Sequence, residues 1–143
     1  MPDRSSGAAE APFALLVEPN ARQQILDAGA WLSALNPEAV RNFSEAMDAA
    51  LPALCSDLAV AFAEGTLLPR PHEQASLVYS RPVYEKIVTA GNKAGRRRGG
   101  GGANTWRVYY DLADTDGDNR PDTVRVLAVH HAAARPLSLE DEA

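Results

Sequence analysis

Residues 105–136 read TWRVYYDLADTDGDNRPDTVRVLAVHHAAARP and carry the strongest structural pattern of the chain. On both sides of the connector 114–122, apolar and aromatic side chains alternate with a period of two, which is typical of half-buried strands. In the first arm, Val108 and Tyr110 are predicted to share one face, and Arg107 and Tyr109 the other. In the second arm, one predicted face carries Val124, Val126, Ala128 and His130, and the opposite face carries Arg125, Leu127, Val129 and His131. The connector is rich in Asp, Gly, Asn and Pro, which favour turns. The stretch therefore predicts an antiparallel hairpin with an acidic tip.

Upstream of this hairpin the sequence predicts two more strands and two helices. FALLV at 13–17 is a strand-length apolar run, and PVYEKIVTA at 82–90 mixes β-forming residues with charge. Apolar residues on one helical face predict a first helix from about Ala21 to Leu35. Asn36, Pro37 and Glu38 form a helix-start signal. They predict a second helix to about Leu58, with residues 59–65 as a possible extension ending at Gly65.

Two features interrupt this pattern. Pro52 lies inside the second helical pattern and is expected to kink or split that helix. LLPRPHEQ at 67–74 is predicted to be a loop.

The order of elements, β-α-α-β-β-β, predicts an α+β fold with a helical hairpin packed on a small, mainly antiparallel sheet. The length of 143 residues suits one domain. We assign that domain to residues 12–137, after a disordered leader at 1–11 and before an acidic tail at 138–143. Within the domain, GNKAGRRRGGGGAN at 91–104 is expected to be a mobile basic loop, because glycine loses most entropy on ordering.

Composition limits the cellular context. No apolar run approaches the ~20 residues that span a bilayer, and residues 1–12 lack the pattern of a signal peptide. The single cysteine, Cys55, has no partner for an internal disulfide, so we predict that it is a small buried hydrophobe. Together these features predict a cytoplasmic protein with no membrane partner.

Three phrases in this order resemble the RelE/ParE superfamily of toxins from type II toxin–antitoxin systems. VEPNARQQILDAGAWLSALNPEAVRNFSEAM resembles the helical hairpin of the family, WRVYYDL its penultimate strand, and VRVLAVHHAAARP its last strand and basic end. The likeness covers about residues 13–136. It implies a toxin that cleaves mRNA on the ribosome, as RelE-like enzymes do, or a ParE-like inhibitor of DNA gyrase. It also implies a co-expressed antitoxin protein as a partner.

The resemblance implies particular catalytic residues. Arg107 falls on the arginine that contacts the scissile phosphate in RelE-like ribonucleases, and Lys86 on a lysine of the preceding strand. His131 falls near the end of the last strand, where relatives keep His, Lys or Arg. Because the two strands are adjacent, we expect Arg107 and His131 to share a face, and we expect His130 to be structural on the opposite face. RelE-like enzymes carry more basic residues on the last strand and often a tyrosine after it, and in this chain those places hold Ala132, Ala133 and Ala134. A ParE-like gyrase inhibitor and a catalytically inactive relative therefore remain alternatives.

The chemistry fits these residue types. RNA cleavage by attack of a 2′-OH needs no metal, and it needs charge stabilisation and proton transfer. Arginine and histidine supply these two functions. The alternative is that Arg107 is an ordinary surface residue and that His131 simply ends a strand.

Basic residues near the predicted strands are candidates for nucleic-acid binding. The formal net charge is −5, yet every charged residue from Lys93 to Arg107 is positive. Such cations bind phosphates with release of counterions. The candidates are Lys93, Arg96, Arg97, Arg98 and Arg135. Trp106, next to this loop, either stacks on a base or packs in the core, and we favour the core.

The acidic turn is the sharpest local motif. Its carboxylates follow the spacing of a calcium loop at positions 1, 3, 5 and 9 (Asp114, Asp116, Asp118 and Asp122). Position 12 is Arg125, where a calcium hand has a glutamate. A calcium-binding hairpin without toxin activity is therefore a second functional class. The alternative is a solvated turn and no cofactor.

A four-stranded sheet with helices on one face is expected to leave its other face and its edges open to a partner. An extended, partly acidic protein could add a strand there and neutralise the basic loop. We predict a complex with such an antitoxin, or failing that a homodimer on the same surface. The alternative is a monomer whose open face is covered by residues 1–11 and 59–74.

Overall fold

A computed structural model describes residues 11–66, 68–91 and 105–132. The elements in chain order are β1 (Ala14–Val17), α1 (Pro19–Leu35), α2 (Pro37–Glu64), α3 (Glu73–Tyr79), β2 (Tyr84–Thr89), β3 (Thr105–Ala113) and β4 (Thr123–His131). Of the predicted leader, basic loop and acidic tail, only Ala11 and Gly91 lie among the described residues.

The strands form one four-stranded sheet in the order β1–β4–β3–β2. β1 runs parallel to β4, and the β2–β3 and β3–β4 pairs are antiparallel. The predicted α+β fold, with a helical hairpin on a mainly antiparallel sheet, is confirmed. β3 and β4 form the hairpin predicted from residues 105–136.

The helical hairpin begins and ends close to the predicted positions. Pro19, expected to break the strand, occupies the first turn of α1, where its missing N–H costs nothing. The Asn36 side chain caps α2 by accepting a hydrogen bond from the Ala39 N–H at 2.7 Å. α2 extends to Glu64 and ends at Gly65 in the left-handed conformation, so the extension past Leu58 is confirmed.

Pro52 does not split α2, so of the two expected effects, a kink or a split, the split is wrong. The helix continues through it as one element of 28 residues. Pro52 is exposed. Its ring therefore lies on the solvent side, where water can hydrogen-bond the carbonyl that loses its N–H partner.

The main core lies between the helical hairpin and one face of the sheet. α2 contributes a buried stripe at helical spacing, and the sheet contributes alternate residues from its three longer strands. Among these buried residues are Phe43, Met47, Leu51, Leu54, Cys55 and Leu58 from α2 and Val88, Trp106, Val108, Tyr110, Val124, Val126 and Val129 from the sheet. Trp106 is 3% exposed and its ring centroid is 4.7 Å from that of Phe43, so its core assignment is confirmed, as is that of Cys55.

The second face of the sheet is covered by α3, which the sequence reading missed. Residues 67–74 were predicted to be a loop, but Glu73 and Gln74 begin this short helix. A second small core joins α3 to this face and includes Ala75, Val78, Tyr79, Val83, Tyr109, Leu127 and Ala128. The expectation of an open second face is therefore wrong where α3 packs on the sheet.

A β-bulge changes the faces of β4. Tyr109 pairs with Ala128 and Tyr110 pairs with Val126, so Leu127 is an extra residue without a partner across the ladder. An extra residue reverses the alternation beyond it. The predicted grouping of Val124 and Val126 with Ala128 and His130 is therefore wrong. Val129 and His131 lie instead on the face of the sheet that packs against the helical hairpin, which we call the hairpin face. The opposite face, which α3 covers, is the α3 face.

α2 is long and apolar enough, by length and composition alone, to cross a membrane. Its apolar stripe nevertheless packs on the sheet, as in the core helix of a globular domain. The cytoplasmic location remains a prediction.

Candidate functional site

The structure separates the three residues that the resemblance implied as catalytic. Lys86 pairs with Val108, whose side chain is in the main core, so Lys86 lies on the hairpin face of the sheet. Arg107 lies on the α3 face, where its Nε is 3.8 Å from Glu85 Oε2. Arg107 and Lys86 therefore do not converge on one site.

His131 lies on the hairpin face, at the opposite side of the sheet from Arg107. Its ring makes edge contacts with Trp31 and Trp106, with centroid distances of 5.3 and 5.0 Å. The expectation that His131 and Arg107 share a face is wrong, because the bulge at Leu127 reverses the direction of every later side chain in β4. His131 instead belongs to an aromatic cluster at the end of the sheet.

The α3 face carries a different set of polar side chains, which we call the α3-face cluster: His72, Glu85, Arg107, Tyr109 and His130. At its centre is Tyr109, which is 2% exposed. The His72 and His130 rings both make edge contacts with the Tyr109 ring, with centroid distances of 5.5 and 5.8 Å. The cluster thus contains two imidazoles, a carboxylate, a guanidinium and a phenol. These groups come from three strands and from the residue before α3.

Glu85 is the acceptor in this cluster. Its Oε2 lies 3.8 Å from both His72 Nε2 and Arg107 Nε. Burial raises the pKa of Tyr109; the neighbouring Arg107 guanidinium opposes this rise and the Glu85 carboxylate adds to it. The phenol is therefore protonated at neutral pH and can donate a hydrogen bond.

His72 is held in place by the start of α3. Its Nδ1 accepts a hydrogen bond from the Ala75 N–H at 3.1 Å, which caps the helix. Its backbone N–H donates to the Val83 carbonyl at 2.6 Å, and Ser76 exchanges two further hydrogen bonds with Val83. Backbone and side-chain bonds thus fix the imidazole beside Glu85.

Sequence reasoning missed most of the α3-face cluster. His72 was assigned to a loop, His130 to a structural role, and Glu85 to no role. Two signals were present: Ala75, Val78 and Tyr79 have helical spacing, and alternation in β2 places Glu85 opposite Lys86. The bulge that brings His130 beside Tyr109 has no comparable signal.

The predicted nucleic-acid-binding residues Lys93, Arg96, Arg97, Arg98 and Arg135 lie outside the described residues. Their role remains a prediction.

In the acidic turn, carboxylates organise the backbone. Asp114 accepts hydrogen bonds from the N–H groups of Asp116, Gly117 and Asn119. Partial desolvation alone would raise the pKa of Asp114, but these backbone donors outweigh it and hold that pKa below its ordinary value. Asp122 accepts in the same way from the N–H and hydroxyl of Thr115.

Within residues 11–66, 68–91 and 105–132, no group of three or more His, Cys, Asp or Glu side chains is arranged to hold a metal ion. Calcium binding by Asp114, Asp116, Asp118 and Asp122 stays an untested prediction.

A buried ion pair borders the α3-face cluster. Asp111, 2% exposed, accepts hydrogen bonds from Arg81 Nε at 2.6 Å and from Arg125 Nε and Nη2 at 2.8 and 2.7 Å. Arg81 follows α3, so Asp111 fastens the end of this helix to the sheet. Burial alone would raise the pKa of Asp111, but the two guanidinium groups hold it below its ordinary value.

Comparisons of the chain with protein-family models, with curated proteins and with solved structures find no match. The geometry of the α3-face cluster is therefore the basis on which function is argued.

Proposed function

We propose that this chain is a RelE-like endoribonuclease, the toxin of a type II toxin–antitoxin system, and that the α3-face cluster is its active site. The observation that carries the proposal is the placement of Glu85 and Arg107 side by side, 3.8 Å apart, with two imidazoles on the neighbouring Tyr109 ring. The order of the helical hairpin and strands supports the same family of folds. The proposal replaces Lys86 and His131 with Glu85, His72 and His130, and it keeps Arg107.

Each group has a role in transesterification of RNA. A 2′-OH attacks the adjacent phosphate and Glu85 accepts its proton, while the 5′-oxygen takes a proton from water as it leaves on the opposite side of the phosphorus. Arg107 binds two phosphoryl oxygens through its planar N–H donors. The N–H groups of His72 and His130 and the hydroxyl of Tyr109 donate hydrogen bonds to the charge that develops. The products are a 2′,3′-cyclic phosphate and a free 5′-hydroxyl.

The test is induction of the chain in a bacterium, with growth and mRNA integrity as readouts. Wild type should arrest growth and cleave mRNA, and Glu85→Gln and Arg107→Ala should each reduce cleavage by about a hundredfold or more. Lys86→Gln is the matched control, because it is the next residue of the same strand and faces the hairpin. It should leave cleavage within a few fold of wild type.

Other outcomes separate the alternatives. Induction of the DNA-damage response without mRNA cleavage would indicate a ParE-like gyrase inhibitor. Normal growth at verified soluble expression would reject the toxin. Loss of cleavage in Lys86→Gln but not in Glu85→Gln would reject the α3-face cluster as the site.

A further inference from the structure

Gln24 on α1 connects the helical hairpin to the α3-face cluster. β1 ends at Val17, and the chain continues as α1 along β4, which would otherwise have an unpaired edge there. Side chains of α1 replace the missing strand: Asn20 Nδ2 lies 3.5 Å from the Leu127 carbonyl, and Gln24 Oε1 accepts a hydrogen bond from the Val129 N–H at 2.7 Å. The other end of the Gln24 amide lies 3.4 Å from His130 Nε2.

The Val129 contact fixes the orientation of the Gln24 amide. A backbone N–H only donates, so the atom of Gln24 that faces Val129 must be the oxygen. The atom that faces His130 is then the NH₂ group, which only donates. His130 Nε2 must therefore accept, and the proton of the neutral ring must be on Nδ1.

We infer that Gln24 is a positioning residue that sets the tautomer of His130, so that this imidazole presents an N–H donor at Nδ1. The same reasoning applies to His72, whose Nδ1 accepts from the Ala75 N–H, so that its proton is on Nε2, toward Glu85. Both imidazoles thus serve as hydrogen-bond donors. Glu85 is the group in the cluster that is able to accept the proton of an attacking hydroxyl.

The inference also defines what the cluster binds. Donors at His72 Nε2 and Arg107 flank the carboxylate of Glu85, and the His130 ring contacts the Tyr109 ring beside them. Such an arrangement favours an anionic group that carries a neighbouring hydroxyl, as a ribose phosphodiester does, over a DNA phosphodiester, which lacks the 2′-OH. This preference rests on the proposed function, whereas the tautomer of His130 does not.

The tautomer is measured by two-bond ¹H–¹⁵N correlation spectra of the histidine rings in the full chain, above neutral pH. Wild type should show His130 protonated on Nδ1. Gln24→Glu keeps the acceptor for Val129 but replaces the NH₂ donor with an oxygen, so it should move the proton of His130 to Nε2. Gln23→Glu is the control, because it adds the same charge one residue away on an exposed side chain that bonds Asp27. It should leave the His130 signals unchanged.

A wild-type His130 protonated on Nε2, or a Gln24→Glu variant with unchanged ring signals, would overturn the inference. The wild-type spectrum shows which nitrogen of His130 is protonated even if the Gln24→Glu variant fails to fold. Cleavage of mRNA is measured with the same proteins added to translating ribosomes, and Gln24→Glu should reduce it at least tenfold. If wild type does not cleave mRNA on the ribosome, the proposed function fails while the spectra still test the tautomer. If wild type cleaves mRNA and Glu85→Gln does not, the proposed function stands. A His130 proton on Nε2 in wild type would then reject only the role of Gln24.

Discussion

At the scale of single residues, Asp111 shows how one buried charge holds two layers together. Its carboxylate bonds Arg125 within the sheet and Arg81 after α3. Removing a charged hydrogen-bond partner costs about 2 kcal/mol, and the two arginines are a third or more exposed, so water can solvate them in part. We therefore expect Asp111→Ala to lower the free energy of unfolding by about 2 kcal/mol, measured by urea denaturation. Asp48→Ala, on the exposed side of α2, should change it by less than about 0.5 kcal/mol.

The same residue predicts a pH dependence. The pKa of Asp111 is lowered in the folded protein from its ordinary value of 3.8. A group with a lowered folded pKa stabilises the fold above its unfolded pKa, and this stabilisation is lost as pH falls through the folded pKa. The stability difference between wild type and Asp111→Asn should therefore be constant from neutral pH to about 5 and shrink below about 4. A difference that stays constant down to pH of about 2 would contradict this assignment.

At the scale of elements, local signals predicted most boundaries, and tertiary contacts decided the others. The Asn36 cap, Pro37 and Gly65 predicted the start of α2 and its end correctly because those preferences are local. The split considered at Pro52 does not occur, because tolerance of a proline inside a helix depends on which side of the helix faces water. α3 was missed because a helix of seven residues is stabilised by packing on Tyr109 and by its cap at His72, not by propensity.

Two glycines in the helical hairpin provide a matched pair for a test. Gly65 has φ of +69°, a conformation that strains any residue with a Cβ, so Gly65→Ala should lower the free energy of unfolding by about 1 kcal/mol. A Cβ there would meet no atom within 4 Å, so no clash adds to this strain. Gly29 lies inside α1, and its Cβ would lie 3.8 Å from Val40 Cγ2, an ordinary contact. Gly29→Ala should therefore raise the free energy of unfolding by about 0.5–1 kcal/mol. Thermal denaturation should show that Gly65→Ala lowers the stability and Gly29→Ala raises it. A gain in stability in both variants would contradict the helix-end assignment of Gly65.

At the scale of the whole molecule, alternation predicted the sheet and its β-hairpin but not the α3-face cluster. A bulge of one residue at Leu127 moved His131 to the hairpin side and His130 to the α3 side. The sequence VRVLAVHH contains no glycine or proline that marks the bulge. Arg107 was placed correctly on the face opposite Val108, because it lies before the register shift. Which histidine stands beside that arginine depends on strand register, which the sequence pattern alone left undetermined.

The edges of the sheet determine how the molecule is expected to associate, because α3 covers part of the second face. At the β1 edge, Leu15, Leu16 and Leu26 are 41%, 46% and 62% exposed. Leu16 and Leu26 line a groove of about 440 Å³ together with Glu18 and Arg22. An exposed edge strand beside apolar side chains favours strand addition.

We therefore expect the predicted antitoxin, or a second copy of the chain, to bind at the β1 edge. Light scattering of the chain, alone and co-expressed with the product of the neighbouring gene, should show a mass above that of the monomer. Leu16→Lys should weaken association at least tenfold, because a charge would be buried in the groove. Leu77→Lys provides the control, since Leu77 is 69% exposed on α3, away from this edge. A monomer at high micromolar concentration that does not bind its neighbour's product would contradict the prediction, and equal effects of the two variants would place the interface elsewhere.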